Sequence, residues 1–111
     1  MKRITLTDGS GRWFDQEKAI RFDEDSWWDG NNHISSATGS QFDHEILYHT
    51  SSGRWILHKY SQWQGRPDTY VEIGDDAVSK WLANNNCYEK VEQLPRDVQE
   101  RICKVIAETE V

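Results

Sequence analysis

Proline and cysteine are both scarce, with two of each in 111 residues. Two prolines leave no proline-rich, polyproline-type segment. Cys87 and Cys103 form no C-x-x-C pair, and two thiols cannot build the multi-bridge framework of a small secreted scaffold. Long apolar runs are also missing, so no stretch offers the ~20 apolar residues of a helical membrane span. The start, Met1-Lys2-Arg3-Ile4-Thr5-Leu6, reaches Asp8-Gly9 before an apolar signal core develops. Reduced thiols, no membrane association and a cytoplasmic location are the expectations that follow.

Clustered positive charge is lacking too. Thirteen Lys and Arg stand against nineteen Asp and Glu, for a net charge of −6, and the longest basic cluster is Lys2-Arg3. Binding to a phosphate backbone depends on releasing counterions with many Lys and Arg. Direct nucleic-acid binding is therefore disfavoured, whereas a basic protein partner suits the negative field.

Catalytic signatures are absent as well. No G-x-S-x-G elbow occurs. Asp8-Gly9-Ser10-Gly11 lacks the Gly-Lys that closes a phosphate loop. Pro67-Asp68 followed by Glu72-Ile73-Gly74 has glycine where a metal nuclease needs lysine. The reading is a non-enzymatic protein with no cofactor.

What is present fits one globular α+β domain over residues 1–111: 36% hydrophobic residues, 29% charged, and no low-complexity tract or linker. Ile4–Thr7 and Arg12–Phe14 flank the turn Asp8–Gly11. Asp15 is placed to cap a short N-terminal helix through about Phe22, with Ala19, Ile20 and Phe22 inward. Residues 23–32 read as loop, and His33–Thr38 as a short strand. Phe42–Thr50, Arg54–Gln62 and Thr69–Ile73, separated by Ser51-Ser52-Gly53 and Gln64–Asp68, predict an antiparallel meander. The period then becomes helical. Ala77, Val78, Trp81 and Leu82 follow Asp75-Asp76, and Asn84–Asn86 end that helix. Pro95 opens a second helix with Val98, Ile102, Val105 and Ile106 in one stripe. Both C-terminal helices are expected on one face of the sheet.

Six tryptophans make the largest ring unusually prominent. Trp55 and Trp81 fall on apolar strand and helix faces and read as core. Trp13, Trp27, Trp28 and Trp63 sit in polar, turn-rich sequence, where indoles near arginine form the anchors of protein interfaces. The bland alternative is that these rings cover sheet edges. Asp23, Glu24 and Asp25 lie beside Trp27-Trp28 and would steer a basic partner. Such a protein would inhibit or regulate a nucleic-acid-handling partner by occupying its basic groove, as anti-CRISPR proteins of phages do as a class.

Two alternatives remain. A tight hairpin at Ser52-Gly53 would place His49 and His58 on one sheet face, roughly 6 to 8 Å apart. They would start a metal-dependent or hydrolytic site, with Cys87 or a carboxylate as a third ligand. A register shift of one residue would abolish that pair. The other alternative is a sugar- or peptide-binding face built from exposed tryptophans.

The strings Leu6-Thr7-Asp8-Gly9-Ser10-Gly11-Arg12-Trp13-Phe14-Asp15, Ala37-Thr38-Gly39-Ser40-Gln41 and Ser61-Gln62-Trp63-Gln64-Gly65 resemble small uncharacterised bacterial proteins. The resemblance spans roughly residues 3–83 and implies a standalone domain. It carries no activity and no catalytic residue.

Overall fold

The computed structural model describes residues 1–62, 65, 67–85 and 92–108, with Ile106 described by its backbone alone. The meander forms three consecutive strands of a four-stranded antiparallel sheet. Its strands are β6 (Asp43–His49), β7 (Trp55–Ser61) and β8 (Thr69–Ile73), with β3 (Ile20–Asp23) on the outer side of β6. Alternation along each strand sorts side chains onto two faces. Phe22, Leu47, Trp55 and Leu57 pack against α1 (Asp75–Asn84) and α2 (Arg96–Glu108) through Val78, Trp81, Leu82, Val98 and Ile102. The opposite face carries Ile46, Tyr48 and Ile56, which are covered by Leu6 and Phe14 of an N-terminal hairpin. That hairpin pairs β1 (Arg3–Thr5) with β2 (Trp13–Asp15). The sheet therefore lies between two helices and a hairpin.

The two helices lie on one face, as the periodicity predicts. In α1, Val78, Trp81 and Leu82 are buried at i, i+3 and i+4, while Ala77 turns to solvent. Pro95 sits one position before α2 and accepts the Gln99 amide at 3.0 Å, so it caps the helix instead of opening it.

The expected N-terminal helix from Asp15 to Phe22 is not formed. Asp15 ends β2, its carbonyl accepts the Lys18 amide at 3.2 Å, and its carboxylate accepts the Glu17 amide at 3.1 Å. These bonds make a turn, after which the chain enters β3. Ile20-Arg21-Phe22-Asp23 alternates with period two: Phe22 is fully buried, whereas Arg21 and Asp23 are exposed and paired at 2.7 Å. A helix of seven residues has few internal bonds to offset nucleation, and β6 offers a ladder from Ile20↔His49 to Asp23↔Ile46.

Residues 23–32 are also not a plain loop. Ser26–Trp28 (β4) pairs with His33–Ser35 (β5) around the turn Asp29–Asn32, forming a separate two-stranded arm. Asp29 Oδ1 accepts the Asn31 and Asn32 amides at 2.8 and 2.7 Å, and Gly30 takes φ 105°, which glycine adopts without a Cβ clash.

At the outer edge of β8, Thr7 donates its amide to the Tyr70 carbonyl at 2.8 Å. Its hydroxyl oxygen accepts the Tyr70 amide at 2.9 Å.

Candidate functional site

The β6–β7 turn decides which histidines meet. Gly53, at φ 87°, donates its amide to the Thr50 carbonyl, and Thr50 and Arg54 pair across a three-residue loop. The register is then His49↔Trp55, Leu47↔Leu57 and Ile46↔His58. This is one residue away from the two-residue turn that would put His49 and His58 on one face as diagonal neighbours. His49 lies on the helix side, its ring 4.5 Å from Trp55. His58 lies on the opposite face, stacked 4.1 Å from Tyr70 and bonded through Nε2 to Asp68 at 3.1 Å. The expected His49–His58 pair is thus separated by the sheet itself, and Cys87 lies outside the described residues. Among the described residues, no group of three His, Cys, Asp or Glu side chains is placed to hold a metal.

The histidine that acquires a neighbour of consequence is His44. Its Nδ1 meets Glu24 Oε1, and its ring stacks on Tyr60 at 5.3 Å. Glu24 Oε2 accepts from the Ser35 hydroxyl and from the Glu45 amide at 2.9 Å. This resembles half of a catalytic dyad, but His44 Nε2 is buried and has no hydrogen-bond partner among the described residues. The same is true of His58 Nδ1. A base closed to solvent has no access to a reactant's proton. The role visible in the geometry is mechanical.

That role is to hold the arm. Glu24 immediately precedes it, and Ser35, fully buried, ends it. The Asp25 amide donates to Asn85 Oδ1 at 2.9 Å, and Asn85 donates from Nδ2 to the Trp81 carbonyl at 2.8 Å, which ties the arm to the end of α1. The Ser36 amide closes on the Asp25 carbonyl at 2.9 Å. Trp81 Nε1 donates to Glu45 Oε1 at 3.1 Å, and burial pushes the Glu45 carboxyl above the usual range. A lone hairpin is marginal in water. This one is seated on a half-buried polar network.

The arm carries two large rings into solvent. Trp27 is 53% exposed and Trp28 59%. Adjacent strand residues point to opposite faces, so each face of the arm displays one indole. Trp28 is braced edge-on by His33, its cross-strand partner, at 5.1 Å. Trp13 is 47% exposed on the N-terminal hairpin, with the Arg3 guanidinium 4.4 Å from its ring. Trp55 and Trp81 are core residues, and Trp63 lies outside the described residues.

The three acidic residues next to the arm have separate positions. Asp23 pairs with Arg21 at the surface, Glu24 turns inward, and Asp25 enters the arm through its backbone bonds. Ser35, His44 and Asn85 were not identifiable as arm anchors from the sequence. Strand alternation puts His44 with Ile46 and Tyr48, but nothing local to His44 indicates a glutamate twenty residues earlier.

No protein-family model matches the chain, and no curated protein or solved structure matches it either. Among the described residues, no helix is long and apolar enough to cross a membrane.

Proposed function

We propose that this chain is a non-enzymatic protein-binding module whose β4–β5 arm docks on a partner through Trp27 and Trp28. The observation that carries the reading is the exposure of two adjacent indoles on a hairpin anchored by half-buried hydrogen bonds. Among the described residues, neither ring belongs to the core on either face of the sheet. Burying the exposed half of a tryptophan side chain releases about 2–3 kcal/mol from apolar area alone. A pre-anchored arm also loses little conformational freedom on docking. Trp13 forms a further anchor. With a net charge of −6, a basic partner is favoured, and an inhibitor or regulator of a nucleic-acid-handling protein fits that description. Here the steering field comes from the net charge of the chain, and Glu24 acts by holding the arm.

Affinity capture from the native host with wild type and Trp27→Ala/Trp28→Ala tests this. The double variant is expected to fold normally by circular dichroism and to lose specifically retained partners. An unchanged set of partners would remove the arm from the proposal.

A further inference from the structure

On the side of the sheet covered by the N-terminal hairpin, a groove of about 350 Å³ opens between that hairpin and the β6–β7 turn. Leu6, Phe14 and Ile56 form its floor, Trp13 a wall, and Arg12 and Arg54 its rim. Glu72 holds both arginines, accepting from Arg12 Nη1 and Arg54 Nη1 at 2.9 Å each. Asp8 adds a longer contact to Arg12, and Arg3 stands over Trp13. Arg12 and Arg54 are balanced by Glu72 and Asp8, so this corner is neutral in a chain that is acidic as a whole. An apolar floor beneath a guanidinium rim suits an aromatic side chain with a carboxylate beside it.

The β4–β5 arm has that composition. Residues 25–36 contain Asp25 and Asp29 but no lysine or arginine, and they display Trp27 and Trp28. At the tip, backbone bonds use Asp29 Oδ1, leaving Oδ2 outside that turn, and those same bonds hold the carboxyl below its usual range. The arm cannot reach its own groove. Its base meets the start of β6 at His44, and the groove borders the other end at Thr50. At about 3.3 Å per residue that separation is about 20 Å, whereas strands of three residues extend only about 10 Å.

We infer that the groove receives the tryptophan arm of a second copy of this chain, with Trp27 or Trp28 over the apolar floor and Asp29 against Arg54. With arm and groove at opposite ends of β6, two copies related by a two-fold axis exchange both contacts and close as a dimer. The inference rests on the reading of the arm as a docking element and names one partner for it.

Sedimentation equilibrium of the full chain over a rising concentration series tests it. Wild type is expected to approach twice the monomer mass. Trp27→Ala/Trp28→Ala, which lacks the arm rings, and Arg54→Glu, which reverses the groove rim, are each expected to associate at least tenfold more weakly. Their spectra should remain those of the folded chain, since all three side chains are exposed. An equimolar mixture of the two variants retains one intact arm facing one intact groove. It should therefore associate more strongly than either variant alone. A wild type that stays monomeric, an Arg54→Glu chain that dimerises like wild type, or a mixture no stronger than its components would each overturn the inference. If wild type stays monomeric yet still loses a captured partner on Trp27→Ala/Trp28→Ala, the self-docking inference fails and the docking arm stands.

Discussion

His49 shows how one residue of register determines a side chain's chemistry. On the helix side of the sheet it is buried against Trp55, with Nε2 unpartnered among the described residues. Desolvation pushes the imidazole below the ordinary histidine range, and the Arg101 charge acts in the same direction. The unfolded chain therefore takes up this proton at a higher pH than the folded one. The stabilising contribution is complete above the unfolded value, near 6.5, and is lost as pH falls from there toward the lower folded value. Urea unfolding at a series of pH values should show stability declining as pH falls below about 6.5. The decline should be shallower in His49→Gln. Parallel pH profiles in the two proteins would show that His49 does not titrate with unfolding.

The elements separate into those whose sequence signal is local and those whose signal lies elsewhere in the chain. Val78, Trp81 and Leu82 repeat at helical spacing, and Trp55 and Leu57 alternate, so α1 and β7 were legible without coordinates. The segment 15–22 was not, because Asp15 suits a helix cap and an aspartate turn equally well. Only β6, more than twenty residues away, decides between them. The arm was hidden for a similar reason. Ser26–Trp28 and His33–Ser35 are three-residue strands whose stability comes from Glu24, His44 and Asn85, none of them inside the hairpin. The exposure of Trp27 and Trp28 follows from that anchorage. Glu24→Ala would leave the Ser35 hydroxyl, His44 Nδ1 and the Glu45 amide without their shared acceptor. It should cost about 2–4 kcal/mol in urea unfolding. Arg96→Ala removes only an exposed contact to Glu100 and should stay within about 0.5 kcal/mol. Equal effects of the two substitutions would mean that the network at the arm base does not hold it.

Across the whole molecule, protection should grade from the centre outward. β6 and β7 are flanked by strands on both sides and covered on both faces, so Leu47 and Leu57 should open only with global unfolding. Among the described residues, the hydrogen bonds that tie the arm to the core lie at its base, so the arm should open alone. Native-state hydrogen exchange is expected to release arm amides at least about a hundredfold faster than those of Leu47 and Leu57. Arm amides as slow as the central strands would make the arm part of one cooperative unit.

The bonds between Thr7 and Tyr70 matter for what the sheet refuses. An outermost strand offers unmet donors and acceptors on which a stray chain can grow, the first step toward fibrils. At Tyr70 those groups are already occupied by one threonine, so this edge offers an incoming strand no unbroken row of partners.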